Sequence, residues 1–140
     1  MREILKMKQI IGTNAAPKPL GTYSQAIKAG TTVYIAGQIP LLPESMEVVE
    51  GDFEAQLRQV FENISAIAEA AGGSLLHVVK LTIYVTDMKN QPAVSDVMAE
   101  YFEEPFPARA VVGVTALPKD VAVEVESILI PIAFPKNALL

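Results

Sequence analysis

The chain has no cysteine and a single histidine, His77, among its 140 residues. Without cysteine there is no disulfide, no thiolate nucleophile and no cysteine-ligated metal. A lone histidine cannot form a histidine cluster, and a catalytic triad would have to rest on His77 alone. The sequence also lacks a phosphate-binding glycine loop and any metal-ligand spacing. Thiol chemistry and the usual metal and nucleotide sites are therefore not expected.

Excess positive charge is also missing, since the formal net charge is -5 at pH 7. Phosphate binding needs a basic patch, so we expect no nucleic-acid partner. The longest basic stretch is short, and we expect residues 1–8 to form a flexible tail. No run approaches the ~20 apolar residues of a membrane span, and residues 1–20 contain no continuous apolar segment of the kind found in secretory signals. The expectation is a cytoplasmic protein with no membrane partner.

Apolar residues are abundant, and their spacing indicates helices and strands around one core. Hydrophobic residues make up 51% of the chain and charged residues 19%, so we expect one folded domain over residues 1–140. Helical spacing predicts helices at 53–71 and 91–102, with Asp52 and Asn90 as N-caps. Strands are predicted at 24–28, 32–36, 78–86, 109–115 and 121–130.

The predicted order of elements is β-β-β-α-β-α-β-β, in which the first strand is not located and the other five are those given above. This order indicates an α+β domain with two helices packed on one face of a mixed sheet. The last two strands are expected to form a hairpin across the turn at 117–120. In that hairpin Arg109, Val111, Glu124 and Glu126 share the face turned away from the helices. Because this face is too mixed for a core and too apolar for plain solvent, we expect it to contact another subunit. An ordinary exposed sheet face is the alternative.

Arg109 is the strongest candidate for binding a substrate. Its guanidinium is a permanent planar cation that can bind a carboxylate through two hydrogen bonds, and Pro107 restricts the backbone just before it. The alternative is an ion pair with Glu124 or Glu126, at the surface or in an interface.

Glu124 is the candidate for handling protons. A half-buried carboxyl on a strand can carry a raised pKa, and it can move protons or orient water. A structural ion pair is again the alternative, and Glu126 competes for the role because it shares the face. Tyr23 could pack on a planar substrate or donate its hydroxyl, or it could be a core or edge aromatic.

The expected hairpin also predicts how far apart these groups lie. If Ala116 pairs with Val121, then Gly113 faces Glu124, and Arg109 is four residues further along its strand, about 13 Å away. Both groups can then serve one site only if a neighbouring subunit supplies one of them.

Several segments, in their order and spacing, resemble the RidA/YjgF family of reactive intermediate deaminases over residues 10–130. The segments that carry the resemblance include Gly21-Thr22-Tyr23-Ser24-Gln25-Ala26, Gly37-Gln38-Ile39-Pro40-Leu41, Pro107-Ala108-Arg109, Leu117-Pro118-Lys119-Asp120 and Val123-Glu124-Val125-Glu126. The resemblance implies a chorismate-mutase-like α+β fold, a homotrimer, and ligand sites in clefts between subunits.

The resemblance also implies a reaction. Members hydrolyse 2-aminoacrylate and related enamines or imines, released by pyridoxal-phosphate enzymes, to 2-oxo acids and ammonia. The implied activity is that of a 2-iminobutanoate/2-iminopropanoate deaminase, with no metal and no cofactor. By position, Arg109 matches the family's carboxylate-binding arginine, and Glu124 matches its water-orienting or proton-handling glutamate. The substrate-binding residues implied in this way are Tyr23, Ala36, Gly37, Gln38, Ser95, Arg109 and the main chain at Val111.

Several pocket positions depart from the family pattern, among them Thr22, which replaces a common proline. Ala36 stands where most members have serine, so a hydroxyl that could bond the substrate is missing. Val111 replaces a common cysteine, Ser95 a common asparagine, and Gln91 a common aromatic residue. Losing one hydrogen bond to a charged group costs on the order of 1.5 to 3 kcal/mol. We therefore expect an altered substrate preference or a slower turnover.

Three functions are compatible with these residues. The favoured one is the imine and enamine deaminase. A non-catalytic regulatory trimer that binds small carboxylates such as 2-oxo acids would need Arg109 but not Glu124. An endoribonuclease or translation inhibitor, as relatives are sometimes described, is disfavoured by the acidic charge and the single histidine.

Overall fold

The computed structural model describes residues 2–131, apart from the side chains of residues 4–6. The order of its elements is the predicted one, preceded by a short helix. Their bounds are α1 Arg2–Met7, β1 Lys8–Ile11, β2 Ala26–Ala29, β3 Thr32–Gln38, α2 Phe53–Ala70, β4 Val78–Val85, α3 Gln91–Tyr101, β5 Ala108–Gly113 and β6 Val123–Leu129. Among residues 2–131, no helix has the length and apolar character needed to cross a membrane.

The six strands form one mixed sheet in the order β1-β2-β3-β6-β4-β5. Only β4 and β5 pair in parallel, and the other neighbours are antiparallel. The apolar residues of β3, β4 and β6 alternate, so one face of the sheet is buried against α2 and α3 while the other face is open. Phe61 of α2 lies at the centre of this core, with its ring 5.2 Å from that of Phe102. The predicted α+β architecture is confirmed.

Helix α2 begins and ends as the sequence predicts. Asp52 accepts a hydrogen bond from the amide of Ala55 at 3.0 Å, and Gly72 ends the helix with a φ of 87° that favours glycine. The start of α3 differs from the prediction. Asn90 makes no side-chain capping bond. Instead, Asp87 accepts a hydrogen bond from the amide of Lys89 at 2.9 Å and orders the turn before the helix.

The predicted hairpin of the last two strands is wrong. Strand β6 lies between β3 and β4, and β5 pairs with β4 on its other side. The connection from β5 to β6 passes around the end of β4, where the amide of Val114 donates to Val85 and the amide of Thr86 donates to Ala122. The physical reason is that α3 forms a crossover connection, which returns β5 parallel to β4. The turn at 117–120 therefore lies in a connection between two strands that are separated by β4.

This topology changes which side chains share a face. Arg109 and Val111 pair with Leu81 and Ile83 of β4, whose side chains are buried, so they lie on the helix face. Glu124 and Glu126 pair with Tyr84 and Thr82, which lie on the open face. The prediction that Arg109 and Val111 share a face with the two glutamates is therefore wrong. The ion pair of Arg109 with Glu124 or Glu126 within one chain is excluded for the same reason.

Within the segment expected to be a flexible tail, residues 2–8 adopt regular secondary structure. Residues Arg2–Met7 form α1, and Lys8 is already part of β1, where it pairs with Ala29 of β2. The ladder with β2 satisfies backbone groups that a free tail would leave to solvent.

The two helix starts provide a matched test of the capping assignment. Replacing a capping Asp by Ala typically costs about 1 kcal/mol. We expect Asp52→Ala to lower the free energy of unfolding by that amount, and Asn90→Ala to leave it nearly unchanged because Asn90 caps nothing. Urea denaturation at one fixed protein concentration measures both variants. Equal losses in the two variants would contradict the assignment.

Candidate functional site

Arg109 lies on the edge strand β5, and its guanidinium reaches towards α3. One nitrogen donates to Ser95 Oγ at 3.0 Å, and another lies 3.3 Å from Met98 Sδ. Among the side chains that the structure describes, all ion pairs involve Arg58, so Arg109 has no carboxylate partner there. Its position is therefore fixed by neutral groups, and its charge is available to an anion.

Arg109 opens onto a cleft of about 480 Å³, here called the arginine cleft. The cleft lies between β5, the start of α3 and the turn before it. The residues that line it are Met88, Lys89, Gln91, Pro92, Ser95 and Arg109. A second, more apolar cleft of about 280 Å³ lies on the other side of Arg109 and is lined in part by Phe106 and Pro107.

Glu124 occupies a different cleft, here called the glutamate cleft, of about 360 Å³ on the open side of the sheet. Its lining includes Leu20, Tyr23, Ala36, Gly37, Ile39 and Glu124. Strand β3 shifts register against β6 between Ile35 and Gln38, and this bulge brings Gly37 against the carboxylate. A Cβ at Gly37 would lie 2.5 Å from Glu124 Oε2, so only glycine leaves room for the carboxylate in this position.

The surroundings of Glu124 change its acidity. Partial burial raises the pKa of Glu124, and the nearby charge of Glu126 raises it further. Glu126 accepts a hydrogen bond from the Tyr84 hydroxyl at 2.8 Å, which holds its carboxylate beside that of Glu124. A carboxyl with a raised pKa can exchange protons closer to neutral pH than an ordinary glutamate.

Tyr23 and Ala36 line the glutamate cleft together with Glu124. Tyr23 is 50% exposed, and its hydroxyl accepts a hydrogen bond from the amide of Leu20 at 3.1 Å, which leaves the hydroxyl proton available. Ala36 offers only a methyl group to the cleft, and its amide donates to the carbonyl of Gln25. The cleft therefore combines one carboxyl, one phenol and an otherwise apolar wall.

The side chains of two residues predicted to bind substrate do not line the clefts described above. Gln38 is buried, and its side-chain amide donates to the carbonyl of Ala36 at 3.1 Å, where it stabilises the bulge. The side chain of Val111 packs against the core on the helix face, and the contact of its main chain with a ligand stays a prediction. The pleat of β5 turns Val112, not Val111, to the open face, where it is 39% exposed.

The remaining predicted residues fall into two separate groups. Arg109 and Ser95 line the arginine cleft, whereas Tyr23, Ala36, Gly37 and Glu124 meet in the glutamate cleft. Arg109 and Glu124 are two strands apart, about 10 Å, and three residues apart along the strands, another 10 Å or so. They also lie on opposite faces of the sheet. One chain therefore does not bring the two groups together.

Lys89 is a cleft residue that the sequence did not single out. It lies in the 3₁₀ turn Met88–Asn90, which the sequence pattern of helices and strands does not reveal. Asp87 could have indicated this turn, because an Asp side chain commonly accepts a hydrogen bond from the backbone amide two residues later and so fixes a turn.

Comparisons with known proteins agree with this fold and with these segments. A family model described as Endoribonuclease L-PSP matches residues 13–130. A RutC family protein of Pyrococcus horikoshii is 56% identical over 87% of this chain and 97% of its own. A 2-iminobutanoate/2-iminopropanoate deaminase of Dermatophagoides farinae is 46% identical over 88% of this chain and 96% of its own.

A solved structure gives the same result for the fold. The crystal structure of RidA from an Antarctic Psychrobacter species superposes with a TM-score of 0.85 at 55% sequence identity, covering 87% of this chain and 98% of that one. The region matched by the family model, residues 13–130, contains every residue of the two clefts. On the family model, the relatives and the fold together, this chain belongs to the RidA/YjgF family.

Proposed function

We propose that the protein hydrolyses the imines and enamines of small 2-amino acids to 2-oxo acids and ammonia, as a 2-iminobutanoate/2-iminopropanoate deaminase. The observation that carries this proposal is Arg109, a cation positioned by Ser95 and Met98 with its charge available to a substrate carboxylate. The name of the Dermatophagoides farinae relative supports the proposal.

The proposed reaction needs little from the protein, because the carbon of an imine is already electrophilic. Arg109 binds the carboxylate and so positions that carbon. Glu124 takes one proton from a water molecule as the oxygen of that water bonds to the carbon, and the electron pair of the C=N bond moves to nitrogen, which takes the proton from Glu124 to form an amine. Glu124 then takes the proton of the new hydroxyl and passes it to the amine as the C–N bond breaks, so ammonia leaves and the 2-oxo acid is formed.

The two clefts become one site if subunits associate. We propose a homotrimer in which the glutamate cleft of one subunit faces the arginine cleft of its neighbour. The open face of the sheet supports this arrangement, since it exposes Ile10, Tyr34 and Val112. These apolar side chains would be covered by a neighbouring subunit.

Two alternatives remain as outcomes of the tests below. A regulatory trimer that binds 2-oxo acids would use Arg109 without Glu124. An endoribonuclease corresponds to the description of the family model, but RNA binding would have to overcome a net charge of -5. The cytoplasmic location stays a prediction from the sequence.

The first test concerns the arginine. Couple a pyridoxal-phosphate threonine dehydratase to the purified protein and follow the decay of 2-iminobutanoate to 2-oxobutanoate. We expect the protein to accelerate this decay and Arg109→Ala to abolish the acceleration, because the carboxylate loses its charged partner. Arg58→Ala, which removes an equivalent charge at a residue that lines neither cleft, is the control. Binding of 2-oxobutanoate without acceleration would identify a regulatory binder instead.

The second test concerns the shared site. Arg109→Ala and Glu124→Gln should each be inactive alone. Co-expressed with different tags, they should form mixed trimers in which some interfaces carry an intact Arg109 and an intact Glu124. For random assembly about a quarter of the interfaces are intact, so we expect about a quarter of the wild-type activity. If the mixture is as inactive as the separate variants, the sites are not shared between subunits.

The third test measures how kcat/KM depends on pH. If Glu124 acts as a base, kcat/KM falls as the pH drops through its raised pKa. Glu126→Gln removes a charge that raises this pKa, so the acid limb of the profile should move to lower pH. Glu69→Gln, an exposed change of the same kind at the end of α2, should leave the profile in place. An unmoved limb in Glu126→Gln contradicts the assignment of Glu124.

A further inference from the structure

The arginine cleft contains a second cation, Lys89, which the proposed reaction does not use. A small imine such as 2-iminobutanoate has one carboxylate, and Arg109 alone can hold it. The lining residues of this cleft include two cations and no carboxylate, although the chain as a whole is acidic. The cleft is therefore a local concentration of positive charge.

The backbone of Lys89 is held in place by three contacts. Its amide donates to the carboxylate of Asp87 at 2.9 Å, and the amide of Asn90 donates to the carbonyl of Asp87 at 3.1 Å. Met88 packs on Gly113 at the end of β5, where an added Cβ would lie 3.0 Å from its Cγ. Because Gly113 and Arg109 belong to the same strand, the turn that carries Lys89 is fixed relative to Arg109.

The rest of the cleft has room for a ligand larger than a three-carbon imine, and its lining carries polar groups beside the apolar side chains of Met88 and Pro92. Its volume of about 480 Å³ lies within the range of roughly 300–1,000 Å³ that holds ligands of drug size. The amide of Gln91 and the hydroxyl of Ser95 are hydrogen-bonding groups on the same lining. An alkyl substituent on the substrate would form no hydrogen bond with these two groups, whereas an anionic substituent would contact Lys89 and two neutral donors.

We propose that Lys89 binds a second carboxylate, so that the preferred substrates are imines of dicarboxylic amino acids and the products are 2-oxo dicarboxylates. This inference rests on the proposed deaminase function and defines its substrate class. Arg109 holds the carboxylate next to the imine carbon, and Lys89 holds the one at the end of the side chain. Lys89 is thus a specificity-determining residue.

The reaction is balanced by one water molecule, which becomes the oxygen of the ketone while the imine nitrogen leaves as ammonia. No electrons are exchanged with the protein. The imine can form by a two-electron oxidation of the C–N bond of an amino dicarboxylate, catalysed by a dehydrogenase or flavin oxidase, or by elimination of water from a hydroxylated amino dicarboxylate, so an enzyme of one of these classes has to precede this step.

The test measures binding as well as catalysis, with 2-oxoglutarate and 2-oxobutanoate as probes. We expect the wild-type protein to bind 2-oxoglutarate roughly 3- to 10-fold more tightly by calorimetry, as one additional partly exposed charge pair provides. Lys89→Gln should abolish this difference without changing the affinity for 2-oxobutanoate, and Lys89→Arg should restore most of it. Lys28→Gln makes the same charge change on β2, outside the arginine cleft, and should have no effect.

The kinetic arm compares imines formed by a flavin oxidase from glutamate and from 2-aminobutanoate. Lys89→Gln should lower kcat/KM for the imine of glutamate by the same factor as it lowers the affinity for 2-oxoglutarate. It should leave kcat/KM for the imine of 2-aminobutanoate unchanged. Equal affinities of the wild type for both 2-oxo acids, or an equal loss of both in Lys89→Gln, overturns the inference. If 2-oxoglutarate binds as expected but neither imine is hydrolysed, the inference about Lys89 stands as a binding site and the deaminase function fails.

Discussion

The parallel pairing of β4 with β5 is the constraint on which the rest of the site depends. It directs Arg109 to the helix face of an edge strand, where Ser95 and Met98 of α3 hold its guanidinium. It also leaves β6 to pair with both β3 and β4, which puts Glu124 on the open face. Two groups that could act on one small molecule are therefore separated by the thickness of the sheet.

The bulge in β3 is the second requirement. It places Gly37 where any side chain would collide with the carboxylate of Glu124. The half-buried position raises the pKa of this carboxyl, and Glu126, held by Tyr84, adds to the effect. The raised pKa of Glu124 thus follows from backbone geometry and from one neighbouring charge. The buried amide of Gln38 contributes to the same geometry from the other side of the strand.

Periodicity in the sequence was enough to predict the helices, most strand positions and the cap at Asp52, because those depend on neighbours close in the chain. Periodicity did not predict how the last two strands pair. The turn at 117–120 has the local chemistry of a hairpin, but strand pairing depends on the α3 crossover, which local chemistry does not show. The sheet faces predicted for Arg109 and Val111 were wrong for the same reason.

The candidate site was predicted in part. The segments around Tyr23, Gly37 and Glu124 do meet in one cleft, and Arg109 does lie with Ser95. The family resemblance supplied these positions, since residue types and spacing alone left the alternatives open. The role of Gln38 in the bulge was not predicted, because a polar side chain beside a glycine can stabilise a bulge as well as bind a ligand. Lys89 was missed because its position depends on a turn anchored by Met88 and Gly113.

The separation of Arg109 from Glu124 has a consequence for how such a protein behaves at low abundance. In the proposed trimer each reaction centre exists only where two chains touch, so an isolated chain carries the parts of a catalyst without being one. Dilution below the dissociation constant of the proposed trimer would therefore lower the activity per chain.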